Sequence, residues 1–337
     1  MAETASNAQT YAHIGVIGAG AWGTALAIAA ARAGRQVTLW ARESEVVESI
    51  CTKRENAVFL PAVTLPATIS ASGDLVTATA ADALLLVTPA QHTRSTLTVL
   101  KPQLAADVPV AICAKGIERG SGKLMSEVLG EFVDPEQVAI LSGPSFARDV
   151  AVGLPTAVTI AGQIDIAQRL QASLSHGTFR PYASDDVTGV ALGGATKNVY
   201  AIACGIVAGM GLGESAHAAL LARSFAELRR LGEALGARSD TLMGLSGLGD
   251  LVLTATSPTS RNFSFGLAIG KGASRADLEA KGHPLAEGAE TAPALLARAR
   301  AQGIELPIAE TTAAILDGTL ALDAVIPRLM SRPLTLE

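Results

Sequence analysis

The first half of the chain alternates short apolar runs with segments whose apolar residues recur at helical spacing. The run "HIGVIG", 13–18, predicts a strand, and a helix over 22–33 follows it and stops at Gly34. A second strand is expected at "QVTLW", 36–40, after which Ser44 opens a helix carrying Val46, Val47 and Ile50. Further strands are expected over 83–88, 109–114, 138–141 and 156–161. Apolar runs of this length, separated by helices, predict βαβ units and a parallel sheet. After about Val187 the strand signals stop. Ala/Leu-rich stretches such as 214–236 and 291–303 keep a helical period and end at glycine. The pattern therefore divides the chain into an α/β domain over 1–190, with 1–11 as a flexible tail, and an all-α domain over 191–337.

A chain of 337 residues is long enough for two cores. Its 26 basic and 31 acidic residues give a net charge of −5, so no strong basic field is available for nucleic acid or an anionic membrane. An anionic ligand must be held by a local site. Cys51, Cys113 and Cys204 match neither a zinc spacing nor a disulfide framework, which points to a reducing, cytoplasmic compartment. The five histidines have no Cys or carboxylate partner at ligand spacing, so no metal is expected. The polar opening "MAETASNAQTYA" lacks the basic and apolar regions of a signal peptide.

Gly18, Gly20 and Gly23 form G-x-G-x-x-G between the first strand and the first helix. In that setting the first glycine permits the turn, the second lets a pyrophosphate approach the backbone, and the third lets helix and strand pack. The helix N-terminus then offers N–H groups and a positive dipole end to the anion. The α/β half is therefore expected to be a Rossmann-like dinucleotide-binding domain. After the second strand the chain reads Trp40, Ala41, Arg42, Glu43, with no carboxylate directly at the strand end for a free ribose hydroxyl. Arg42 could instead meet a 2′-phosphate, which leans toward NADP, or it could be a solvated surface arginine.

The stretch from Gly189 to Gly213 carries a single charge, Lys197. Spanning a bilayer takes about 20 continuous apolar residues. Here Lys197, Asn198 and repeated glycines interrupt the run and no basic flank orients it, so a buried helix is expected rather than a transmembrane segment. Lys197 could snorkel to water or serve chemistry, and Gly193 and Gly194 before it allow a close approach by a ligand or a packed helix. Lys115 follows a strand, where ligands of open α/β sheets collect, or it is an ordinary loop lysine. Gly143 and Ser145 open a helix after another strand and could meet a ligand or simply cap that helix. The segment 244–266 sets Asp250 in a glycine-rich turn, then Thr254, then Ser260, Arg261 and Asn262. Arg261 with Asn262 could grip a phosphate, or the segment could be a polar loop between helices.

Taken together, "GAGAWGTALA", "AKGIE", "SGPSFA", "LGGATKNV", "GLGDL", "SRNFSFG" and "AEGAETA" resemble the NAD(P)-dependent glycerol-3-phosphate dehydrogenases of the bacterial soluble type. The matches run in order from about residue 13 to residue 292, with Ala286 where the family often has Val. The resemblance implies a Rossmann-like domain joined to an all-α substrate domain. It implies NAD(P)H-dependent, reversible reduction of dihydroxyacetone phosphate to sn-glycerol 3-phosphate for phospholipid synthesis, and a homodimer is the expected assembly. By the same match Lys197 is the catalytic lysine, and Lys115, Gly143, Ser145, Asp250, Ser260, Arg261 and Asn262 complete the substrate site. Gly18, Gly20, Ala21, Trp22, Gly23, Arg42, Lys115, Ala147, Arg261, Leu285 and Glu287 are implied to contact the cofactor. The residue at Arg42 varies within the family, so the choice between NAD and NADP stays open, leaning to NADPH.

That role would explain a lysine placed in apolar surroundings. Hydride arriving at a ketone carbon leaves negative charge on oxygen, which a nearby ammonium can polarise and then protonate. Burial disfavours the charged form, and pairing with Asp250 would offset this. Asn198 lies about 100° further round the helix and need not share the first contact of Lys197. Two other readings stay open: a β-hydroxyacid-type dehydrogenase, against which the "GLGDL…SRN" segment argues, and a non-catalytic NAD(P)-binding sensor.

Overall fold

A computed structural model describes residues 10–280 and 286–330. The chain forms two compact units, Met1–Lys115 with Met125–Ala191, and Gly116–Leu124 with Leu192–Glu337.

Among the described residues the first unit has ten strands: β1 (His13–Ile17), β2 (Gln36–Trp40), β3 (Glu55–Asn56), β4 (Leu60–Thr64), β5 (Ile69–Ser72), β6 (Ala83–Leu86), β7 (Val110–Ile112), β8 (Val138–Ser142), β9 (Thr156–Gly162) and β10 (Phe179–Ser184). Eight of them form one sheet in the order β10-β9-β8-β7-β6-β1-β2-β5, and β3 and β4 form a separate hairpin. Strand β1 is flanked by β2 on one side and β6 on the other, with Ile14 registered against Val37 and Ala83. The chain thus builds outward in one direction from β1 and then reverses, which makes the gap after β1 and β6 the topological switch point of the sheet. The helix Ala21–Arg32 packs its Ala-rich length against this sheet, with every residue from Gly23 to Ala31 buried. Small side chains let it be covered on all sides.

The sheet is not wholly parallel, as the sequence pattern suggested: β9 runs antiparallel to β8, and β10 follows β9. The connection carries only the six-residue helix Ala147–Val152, closed by Gly153 at φ 89°. The strands that the pattern did not reveal include both sheet edges. β5 reads "ISAS", and β10 reads "FRPYAS" with a proline, compositions suited to an edge and lacking a continuous apolar run. Tyr11, read above as part of a flexible tail, is buried: its backbone N–H donates to the Ser173 hydroxyl (2.8 Å) and its ring lies under the Arg169 guanidinium.

The second unit is helical. Its central element is the helix Val187–Gly209, the last part of which belongs to this unit. By length and composition that helix could cross a membrane, yet its most apolar window is completely buried within the protein. Close packing accounts for its glycines. A Cβ on Gly205 would run into the Phe263 carbonyl, and one on Gly266 into the Ile202 carbonyl, so the helix Arg261–Gly270 lies almost backbone to backbone on it. The segment 244–266 is also largely helical, with a short turn over 257–260. A π-helical turn, Leu245–Gly249, leads into the helix Asp250–Thr256, and Asp250 opens that helix instead of sitting in a turn. Gly193 is pressed against the Ser246 carbonyl and Gly247, so the glycine before Lys197 serves helix packing.

Glu227, on the helix Glu214–Ala234, is buried and accepts the N–H groups of Ile308 (2.7 Å) and Ala309 (3.3 Å) at the start of the helix Pro307–Leu316. Burial pushes its carboxyl up to about 7, against the lowering effect of those N–H groups, of Arg230 and of Tyr200. A raised folded-state pKa favours folding fully below about pH 4.5 and loses that contribution as pH rises through about 7. Stability should therefore fall between pH 5 and 7, by at most about 1.4 kcal/mol per pH unit from this group. Urea denaturation across that range should show the decline, and Glu227→Gln should flatten it; equal slopes in both proteins contradict the assignment.

Candidate active site

In the first unit, the chain leaves β1 through Gly18 at φ 114°, whose N–H donates to the Trp40 carbonyl (3.1 Å). A Cβ on Gly18 would press on Val87 and Thr88 after β6, and one on Gly23 would overlap the Gly18 carbonyl. Gly20 is different: nothing lies within 4 Å of the position its Cβ would take. Two of the three glycines are thus required by packing, and the middle one keeps open space beside the backbone. Ala21 and Trp22 begin the twelve-residue helix Ala21–Arg32, and Gly20 gives it no side-chain cap. The Trp22 indole N–H and the Thr88 hydroxyl are buried without a hydrogen-bond partner among the described residues. An uncapped helix start at the switch point, open space at Gly20 and buried orphan donors fit a dinucleotide pyrophosphate. Thr88 escaped the sequence reading because a lone threonine after a strand has no distinguishing spacing. Arg42 is exposed and pairs with Glu43 at 2.9 Å. Ala147 is the first residue of the short helix Ala147–Val152.

Lys115, Gly143 and Ser145 come together in the same unit. The Lys115 ammonium and the Ser145 hydroxyl both donate to the Gly143 carbonyl, each at 3.0 Å. Gly143 follows β8, so the cluster sits at a strand end.

In the second unit, Lys197 is buried and its Nζ donates to Asp250 Oδ1 at 2.5 Å. Asp250 has no exposed surface and also receives the Thr254 hydroxyl at 3.4 Å. Lys197 does not snorkel to water; its charge is answered inside the protein. Buried pairs of this kind are costly to break, because removing one partner strands the other charge.

Asn198, the next residue, points elsewhere, as helix geometry requires. Its Nδ2 donates to Glu287 Oε2 (3.4 Å), and its Oδ1 accepts from Asn262 Nδ2 (2.9 Å). Asn262 Oδ1 in turn accepts the Gly288 N–H (2.9 Å), capping the helix Glu287–Ala301. Arg261 Nη2 stands 3.9 Å from Glu287 Oε1 with its guanidinium largely exposed. Ser260 caps the helix Arg261–Gly270, its hydroxyl accepting from the Phe263 N–H at 3.3 Å. The structure therefore links Arg261, Asn262, Glu287 and Asn198, a grouping hidden in the sequence because the partners of Asn198 lie 64 and 89 positions away. Leu285 lies outside the described residues.

A glycine turn at the switch point of an α/β sheet, joined in one chain to a helical unit with a buried lysine–aspartate pair, fits the class of nicotinamide-dependent dehydrogenases. The sequence profile for the N-terminus of NAD-dependent glycerol-3-phosphate dehydrogenase matches residues 13–166, and that for its C-terminus matches residues 186–327. Glycerol-3-phosphate dehydrogenase [NAD(P)+] of Methylobacterium radiotolerans is 58% identical over 95% of this chain and 97% of its own length. The enzyme of the same name from Parvibaculum lavamentivorans is 53% identical over 96% of this chain and 97% of its own. The crystal structure of glycerol-3-phosphate dehydrogenase from Coxiella burnetii superposes with a TM-score of 0.89 at 37% identity, covering 96% of this chain and 99% of that one. The chain belongs to the NAD-dependent glycerol-3-phosphate dehydrogenase family. It is an oxidoreductase that uses NAD or NADP.

Proposed function

We propose that this chain reduces dihydroxyacetone phosphate reversibly to sn-glycerol 3-phosphate, with Lys197 as the general acid. The observation that carries the reading is the buried Lys197–Asp250 pair at 2.5 Å, in a chain whose relatives carry that enzyme name. The reduced nicotinamide, when bound, supplies the hydride to the carbonyl carbon. Lys197 polarises the carbonyl oxygen and delivers the proton that the developing alkoxide needs. Asp250 holds the ammonium in place and answers its charge at 2.5 Å.

Arg261 and Asn262, with Ser260, are assigned to the substrate phosphate. The Arg261 guanidinium is exposed at the first turn of a ten-residue helix, where the helix dipole also favours an anion. One Nδ2 hydrogen of Asn262 is used by Asn198, and its second can serve a phosphate oxygen. Lys115, Gly143 and Ser145 are assigned to the polar end of the substrate, Lys115 also to the nicotinamide. Gly18, Gly20, Ala21, Trp22 and Gly23 are assigned to the pyrophosphate, and Ala147, Leu285, Glu287 and Arg261 to further cofactor contacts. Residues 1–190 would thus carry the cofactor, and 191–337 most of the substrate chemistry. Arg42 is assigned to the 2′-phosphate of NADPH, exchanging Glu43 for that dianion. The family resemblance supports a homodimer, and the three free cysteines, two of them buried, suit a cytoplasmic enzyme feeding phospholipid synthesis.

Replacing Lys197 with Met, which keeps much of the side-chain volume, should lower kcat with dihydroxyacetone phosphate by about a thousandfold. Cofactor Kd should stay within about twofold, since the pyrophosphate contacts are untouched. Turnover within about tenfold of the unaltered protein would remove Lys197 from the proton transfer. Arg42→Ala should raise KM for NADPH by about tenfold and leave KM for NADH nearly constant. Equal changes for both cofactors would contradict the 2′-phosphate assignment.

A further inference from the structure

We propose that Asn56 is a positioning residue for the dinucleotide turn, acting through the Ala19 carbonyl; the inference rests on reading Gly18–Gly23 as the cofactor turn. Asn56 ends strand β3 of the small hairpin and has no exposed surface. Its Nδ2 donates one hydrogen to the Ala19 carbonyl and the other to the Thr24 hydroxyl, both at 2.8 Å. Its Oδ1 accepts the Phe59 N–H at 3.1 Å. Both amide hydrogens and the amide oxygen are therefore engaged, and the orientation of the carboxamide is fixed. The Ala19 carbonyl can only accept and the Phe59 N–H can only donate, so a flipped amide would lose both bonds.

The consequence for the turn follows from peptide geometry. The Ala19 carbonyl and the Gly20 N–H belong to one planar trans peptide and point in opposite directions. Asn56 draws the carbonyl toward the hairpin, which turns the Gly20 N–H away from it. The Thr24 hydroxyl, also fully buried, adds a second, longer contact to the same carbonyl at 3.4 Å. Gly20 is the position with open space beside it, and its backbone needs a fixed direction to receive an anion. A glycine-flanked turn has little stiffness of its own, and a donor that must be ordered on binding costs affinity.

The hairpin that supplies Asn56 is itself anchored. The Ser49 hydroxyl donates to the Glu55 carbonyl (2.7 Å), and Glu55 Oε1 accepts the Ala62 N–H (2.8 Å). Arg54 holds the carbonyls of Ile69 (2.9 Å) and Pro66. The hairpin between β2 and β5 thereby serves as a brace for the turn after β1.

The test measures Kd for NADPH and NADH by nicotinamide fluorescence without substrate, beside kcat, both KM values and Tm. Asn56→Asp keeps the acceptor for Phe59 but sets a carboxylate oxygen against the Ala19 carbonyl. It should raise both cofactor Kd values about tenfold, with kcat at saturating cofactor and KM for dihydroxyacetone phosphate within about threefold. Thr24→Val should raise Kd by about threefold, and Thr24→Ser should restore it. A folded Asn56→Asp protein with unchanged cofactor Kd overturns the proposal, as does parallel loss of kcat and both KM values. If Asn56→Asp does not fold, Thr24→Val decides, and an unchanged Kd there overturns it. Gly20→Val separates the two layers of inference. If it abolishes cofactor binding while the Asn56 and Thr24 variants bind normally, only the positioning role falls. If it leaves binding intact, the cofactor turn itself is misplaced and the proposal falls with it.

Discussion

An ammonium buried in apolar surroundings persists only while a carboxylate answers it, and Asp250 does so for Lys197 at 2.5 Å. Much of the second unit can be understood as the means of holding that pair. Lys197 is carried by a glycine-rich helix so smooth that neighbouring backbones touch it directly. The π-helical turn Leu245–Gly249 presses on Gly193, one helical turn before Lys197, and delivers Asp250 at the head of the next helix. The helix Arg261–Gly270 packs on the same column through Gly205 and Gly266, which fixes where Arg261 and Asn262 begin. Large side chains at these contacts would separate the helices and, with them, the two charges.

The neighbouring polar chain has a complementary role. Asn198 joins Glu287 to Asn262, and Asn262 caps the helix that Glu287 opens. A residue assigned to the cofactor and one assigned to the substrate phosphate therefore share one hydrogen-bonded neighbour. Such networks hold their members in a single arrangement, because each group satisfies the next. In the first unit the same economy appears at Gly143, whose carbonyl takes both the Lys115 ammonium and the Ser145 hydroxyl.

Local signals in the sequence were enough for the fold class. In the strand–G-x-G-x-x-G–helix order, packing requires Gly18 and Gly23, while Gly20 keeps open space beside the backbone. Lys197 stood out because a single charge in a long apolar stretch needs a reason. What depended on distant pairing was not legible. The antiparallel pairing of β9 with β8 leaves no mark on the local apolar pattern, and the edge strand β10 has no apolar run to announce it. The segment around Asp250 looked like a loop because glycine and proline lower helix propensity, yet tertiary contact with Gly193 winds it into a helix. Asn56 gave no signal at all, since its partners Ala19 and Thr24 are set by the fold.

The most direct measurement is the nicotinamide absorbance of NADPH, and in parallel NADH, on addition of dihydroxyacetone phosphate to the purified protein, with an unphosphorylated β-keto acid as the control. Steady oxidation with dihydroxyacetone phosphate, faster with NADPH, and none with the keto acid is the expected result. Tight cofactor binding with no turnover of dihydroxyacetone phosphate, or turnover of the keto acid in its place, would contradict the assignment of Lys197, Arg261 and Asn262 to this substrate.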